Sequence, residues 1–173
     1  MPITLDGETG ITTPDITIAD VALGIEQGMW TPSYDGSVSS FDTINYGRRV
    51  GRYLKIGSFV LVSGYLYTNS VNVSGASGVL RITGFPYTAV TQGGTELGDR
   101  PDGLGLAIGR LSNFNQGDEK DTTRMRMVGG QTYAVICVND ARSSSESFFG
   151  VGHLTTGSGN RNILGFSGVY IAA

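Results

Sequence analysis

The sequence predicts an all-β chain: an antiparallel β-sandwich of jelly-roll type, preceded by an extended N-terminal arm. Three observations point there. Glycine accounts for 27 of 173 residues, about twice the ordinary ~7%, and Ser, Thr and Asn are abundant too, which disfavours helix and supplies turns. Runs of β-branched and aromatic residues recur between turn clusters at short intervals, the spacing of a sandwich or barrel. No segment sustains the 3.6-residue apolar period of an amphipathic helix.

Charge divides the chain. Residues 1–28 carry Asp6, Glu8, Asp15, Asp20 and Glu26 and no Lys or Arg, whereas residues 29–173 hold 12 basic and 10 acidic side chains. The composition changes at Trp30-Thr31-Pro32, so 1–28 reads as an arm and 29–173 as a knob domain. Within the arm, the alternations Ile3/Leu5 and Ile16/Ile18 are separated by Gly7, Gly10 and Pro14 and are too short to make a sheet alone. They read either as a tail or as a segment that orders against a partner. Asp20–Gln27 has the length of one or two helical turns, weakened by Gly24.

The knob reads as strand after strand. Val38–Tyr46 precedes Gly47, and Arg48–Ile56 ends at Gly57. Phe59–Tyr67 is β-branched and aromatic on both faces, the pattern of a central strand. Val79–Thr83 stops before Gly84-Phe85-Pro86, and Leu104–Leu111 is apolar with Gly105 and Gly109 inside it. Arg124–Met127 alternates, placing Met125 and Met127 inward, and Gly129-Gly130 turns it into Tyr133–Val138. Ser147–Leu154 and Asn162–Ile171 complete the set, with turn clusters at 69–78, 91–103, 113–122, 139–146 and 155–162.

Several functional classes are excluded or disfavoured. No run of ~18 apolar residues predicts a membrane helix, and no basic stretch followed by an apolar one marks a secretory leader. A net charge of −3 disfavours a nucleic-acid module, which is ordinarily basic. Cys137 is the single cysteine and lies in an apolar run, the setting of a buried small hydrophobe rather than a disulfide or zinc ligand. His153, the single histidine, has no G-x-S-x-G elbow beside it and reads as structural. Gly103–Gly109 spaces its glycines G-x-G-x-x-x-G with no helix after them, unlike a dinucleotide loop. The carboxylates Asp118, Glu119 and Asp121, with Asp99 and Asp102, have the chemistry for calcium or for glycoside hydrolysis, and equally that of solvated loops. Arg48, Arg49, Arg52 and Lys55 fall on two faces of a strand and read either as an ordinary solvated edge or as charges of which some complement the acidic arm of the same or a neighbouring chain. No cofactor is expected.

From Gly28-Met29-Trp30-Thr31-Pro32 onward the chain resembles phage tail-fibre and related virion-appendage proteins, whose C-terminal β-domain opens with G-x-W-T-P. The resemblance continues through Tyr46-Gly47, Gly51-Arg52-Tyr53-Leu54-Lys55-Ile56-Gly57, the strand Phe59–Tyr67, Leu80–Pro86 and Phe166–Tyr170, in that order. Ile3–Asp15 is similar to the opening of such proteins, and residues 91–162 match less well. The resemblance implies a viral structural protein without enzymatic residues, a homotrimer of jelly-roll-like subunits. Without a long shaft or a large β-helix, a compact knob is expected. A strand apolar on both faces needs cover on both sides, which a subunit contact would provide.

Two roles follow, with a third of another class. In the first, the protein is a short tail fibre or receptor-binding protein, held to the tail by Ile3, Leu5, Ile11, Ile16, Ile18 and Trp30. Its distal loops would meet a host surface glycan through Tyr87, Asp99, Asp102, Phe114, Asn115, Asp118, Glu119, Arg142, Asn160 and Arg161. In the second, a trimeric decoration protein lies on the major capsid protein and stabilises the head by multivalency. In the third, it is a lectin-like or hydrolytic domain acting alone. The first two place it in the virion, assembled in the host cytoplasm, with no nucleic acid bound and no membrane insertion.

Overall fold

The computed structural model describes residues 24–91, 102–115, 122–139 and 146–173. Among them, eleven strands form one antiparallel sheet. They are β1 (Ile25–Trp30), β2 (Ser33–Gly36), β3 (Thr43–Ile56), β4 (Phe59–Asn72), β5 (Leu80–Thr83) and β6 (Asp102–Ser112). Then come β7 (Thr122–Val128), β8 (Tyr133–Asn139), β9 (Glu146–Phe148), β10 (Gly157–Ser158) and β11 (Ile163–Ile171), with one 3-10 turn at Val151–His153. The order is β1-β3-β4-β11-β6-β7-β8-β5-β2, with β10 added to β4 and β9 to β8.

That order dictates the shape. β1 and β2 stand at opposite ends of the path yet are joined by Thr31 and Pro32 alone. Such a link reaches about 10 Å, so the two ends must come together. The sheet curls into a half-barrel, and its two halves face each other across the core as the layers of a sandwich do. The all-β antiparallel expectation therefore holds, with one curled sheet supplying both layers.

Local chemistry explains the elements. Gly57 has φ +58° and with Ser58 makes the two-residue turn that pairs Ile56 with Phe59. A left-handed residue at that place matches the twist of the flanking strands. β3 runs unbroken for 14 residues where the sequence predicts two strands, because the register shifts around Gly47 absorb the irregularity as a bulge. Val38, expected in a strand, is 79% exposed and precedes β3. Residues 25–28, expected in the arm, belong to β1, and Ile25–Gln27 are extended rather than helical. Backbone pairing with Lys55 and Ile56 decides this over local propensity. β4 is interior to the sheet as expected, between β3 and β11.

The core is densest where the sheet closes. Trp30, Gly51, Gly64 and Phe166 stand in one cross-strand row on the concave face. A Cβ at Gly51 would overlap the Trp30 indole, and one at Gly64 would overlap the Phe166 ring, so bare backbone is what admits both aromatics. Phe85, just past β5, lies 4.5 Å from Trp30 and 6.0 Å from Tyr170 between ring centres. The Tyr170 hydroxyl accepts the Tyr87 backbone N–H at 3.2 Å and donates to the Tyr87 carbonyl at 3.1 Å. Met125, Met127 and Cys137 are fully buried as expected. His153 is structural: its Nδ1 accepts the Gly150 N–H at 3.0 Å and its ring stacks on Phe149 at 4.5 Å.

Candidate functional site

Trp30, expected on an attachment surface, is instead 8% exposed, and its indole fills the closure of the sheet. Phe114, expected to meet a receptor, is buried between Tyr34 and Phe149. Asp102 belongs to β6 rather than to a loop. Asn160 spends its side-chain amide on the Thr156 carbonyl, 2.6 Å away, and so braces its own loop. That loop is fixed to β4 by Asn162, which is fully buried and pairs with Thr68 Oγ1, the Thr155 N–H and the Thr155 carbonyl. Asn115 and Arg161 are exposed, and the Arg161 guanidinium lies 5.6 Å from the Tyr67 ring centre. Ile3, Leu5, Ile11, Ile16, Ile18, Asp99, Asp118, Glu119 and Arg142 lie outside the described residues.

Tyr87 stands in a polar and aromatic cluster that sequence spacing could not assemble. Glu26 on β1 and Lys55 on β3 are cross-strand partners, paired at 3.3 Å. The Tyr87 hydroxyl donates to Glu26 Oε2 at 2.6 Å, and the Tyr53 and Tyr87 rings meet edge to face at 5.5 Å. Lys55 Nζ lies 5.2 Å from the Tyr87 ring centre. The Tyr87 hydrogen bond, with help from Lys55, holds the Glu26 carboxyl below its ordinary range. The same hydrogen bond pushes the Tyr87 hydroxyl well up. The cluster is therefore intact above the ordinary carboxylate range and comes apart as falling pH protonates Glu26. It offers acceptors, donors and ring edges side by side. Among the described residues no three of His, Cys, Asp and Glu gather as metal ligands.

The larger feature is the convex face of β1, β3, β4 and β11. Register aligns Ile25, Ile56, Phe59 and Ile171 in one row, and Gln27, Leu54, Leu61 and Val169 in the next. Ile25 is 66% exposed, Met29 69%, Phe59 52% and Leu61 41%. Full burial of one such side chain is worth roughly 1.5–3 kcal/mol, so a contiguous apolar sheet face left open is a docking surface in waiting. Beside it a shallow groove of ≈ 710 Å³ runs between Met29, Arg52, Leu61, Ser63, Ser167 and Val169. Arg48 and Arg52 point to this face, Arg110 of β6 lies opposite Gly165, and the outward positions of the four strands hold no Asp or Glu. The two-sided apolar character of Phe59–Tyr67 was the signal for this face in the sequence. Its neighbours on β1 and β11 needed the register.

No protein-family model matches the sequence, and no curated protein matches it. Among solved structures, the fold is similar to part of the Dettilon tailspike protein (gp208), with a TM-score of 0.55 and 13% identity over 84% of this chain. The match takes in 24% of that tailspike chain, so this chain spans about a quarter of the length of its structural neighbour. The likeness is one of fold.

Proposed function

We propose that this chain is a structural protein of a bacteriophage virion, a short tail fibre or receptor-binding protein with an adhesive rather than catalytic role. It forms a homotrimer, joins the tail through its N-terminal segment and turns its distal loops toward the host surface. The observation that carries this reading is the fold shared with a segment of a tailspike over 84% of the chain. The open convex face supports it, since a particle component needs apolar surface that neighbours can cover. The Tyr53, Tyr87, Glu26 and Lys55 cluster supports contact with a hydroxyl-rich glycan: rings for the sugar's apolar face, a carboxylate and an ammonium for its hydroxyls.

The test is the protein's position on the particle. Ala173 is exposed, so a C-terminal tag there can be located by gold labelling on intact virions. Label at the tail end is the expected result. Label spread over the head would replace this reading with a capsid decoration protein. No label, with the tag shown accessible by blotting, would remove the virion role altogether. Light scattering should give three times the 18.2 kDa chain mass, and a single-chain mass at micromolar concentration would overturn the trimer.

A further inference from the structure

We propose that the end of the convex face around Tyr65 and Tyr67 is a binding site for an acidic polysaccharide, with the two rings against sugar faces and Arg48, Arg110 and Arg161 on its anionic groups. Glu26 and Lys55 alternate with the outward residues of β1 and β3, so the Glu26–Tyr87 cluster lies on the other side of the sheet. The proposal thus goes beyond the reading above by naming a second surface and the charge of its ligand.

Register builds the site. Tyr65 and Tyr67 are alternate residues of β4 on the outward face, and their rings meet edge to face at 6.2 Å. Arg48 on β3 stands opposite Tyr67. On the other side Tyr65 faces Gly165 of β11, which faces Arg110 of β6. Gly165 leaves a gap in that row, since a Cβ there would touch the Tyr65 ring and the Arg110 Cβ, each at 3.5 Å. The Arg161 guanidinium lies 5.6 Å from the Tyr67 ring centre. From β3 to β6 the rows span about 14 Å across the strands, with arginines bordering the two rings on both sides.

Exposure and charge point to the ligand. Arg48, Arg110 and Arg161 are exposed and both tyrosines are half-buried, so rings and guanidinium groups are presented together. The outward positions of β1, β3, β4 and β11 hold no Asp or Glu to neutralise them. Guanidinium forks match carboxylate and phosphate groups, and a tyrosine ring gives a sugar a flat apolar surface with a polar tip. Ser63 and Ser167 stand in the next row with Arg52, add hydroxyls, and line the groove of ≈ 710 Å³, which gives a polymer a path past the rings. A protein partner is better served by the apolar end at Ile25 and Phe59. A second copy of the basic end would set arginine against arginine, and a net charge of −3 disfavours nucleic acid.

Binding of the full-length protein to two immobilised polysaccharides tests the site: polygalacturonate, which carries carboxylates, and phosphomannan, which carries phosphates. Neutral dextran, polyglutamate and a single-stranded oligonucleotide are the comparisons. The expected result is binding to at least one acidic polysaccharide that is about 10-fold tighter than to any comparison and falls several-fold in ~0.5 M salt. The tighter of the two names the anionic group. Arg48→Gln and Arg110→Gln should each weaken binding about 3-fold, as loss of an exposed ion pair does. Arg49→Gln removes the same charge from the other face of β3, where Arg49 donates to Ser33 Oγ at 2.7 Å, and should leave binding unchanged. Equal losses for Arg48→Gln and Arg49→Gln would reduce the effect to net charge and overturn the site. Binding of polyglutamate or the oligonucleotide as tightly as the polysaccharides would overturn it too, as would binding of neither polysaccharide. Polysaccharide binding that neither Arg48→Gln nor Arg110→Gln weakens would also overturn it, while leaving the glycan role of the Glu26–Tyr87 cluster standing.

Discussion

The concave and convex faces of β1, β3, β4 and β11 are built from alternate residues of the same strands, and they have opposite fates. On the concave side Trp30, Leu66, Phe166 and Tyr170 are packed to near-zero exposure around two glycines that leave room for rings. On the convex side Ile25, Met29, Phe59 and Leu61 stand largely open. The hydrophobic effect acts equally on both sets of side chains. What separates them is topology: the Thr31-Pro32 link closes the sheet on one side only. Apolar alternation in a strand thus says that both faces want cover, and the connectivity says which one the chain itself covers.

The largest effect should come from emptying the concave side. Trp30→Ala removes the indole from the closure and should cost about 3–5 kcal/mol in urea denaturation. A loss under 1 kcal/mol would mean that the ring is not the closing element. Adding a methyl group sharpens the contrast. Gly64→Ala drives a Cβ into Phe166, whereas Gly165→Ala on the convex side meets Arg110 and Tyr65 at an ordinary 3.5 Å. The first should cost about 1–3 kcal/mol by overpacking and the second about 0.5 kcal/mol or less. Equal costs would break the distinction.

Titration gives a smaller effect without mutation. Burial lifts Tyr34 and Tyr46, burial lifts Tyr170 to about 12, and the Glu26 hydrogen bond lifts Tyr87. A raised phenol favours its neutral form, so its contribution is full below the ordinary value of 10.0 and is lost as pH climbs through the folded value, for Tyr170 between 10 and about 12. Absorbance at 295 nm should therefore show fewer ionised tyrosines in the native protein than in the unfolded chain near pH 10.5. Coincident curves would contradict the packing around Tyr170.

Much of this fold was legible in the sequence because local signals and tertiary demands coincide there. Gly57 and Gly129-Gly130 mark turns, Met125 and Met127 alternate into the core, and Phe59–Tyr67 reads as an interior strand. Trp30, Gly51, Phe85, Phe166 and Tyr170 converge on the closure of the sheet, a packing that their spacing in the sequence does not reveal. β2 was illegible because Ser33–Gly36 has turn chemistry and is extended only through its pairing with β5. Trp30 and Phe114 were misplaced because an aromatic beside a turn looks the same whether it faces solvent or the core. Phe59–Tyr67 signalled an apolar outer face, but the residues that join it there from β1 and β11 needed the register, and the Glu26–Tyr87 contact joins segments 61 residues apart.

The division into a covered and an open face is tested most directly by two identical truncations on β4. Leu66 is fully buried and Leu61 is 41% exposed. In urea denaturation at neutral pH, Leu66→Ala should lose about 2–5 kcal/mol, while Leu61→Ala should lose about 1 kcal/mol or less. Comparable losses at the two positions would show that the convex face is core after all and would contradict the account.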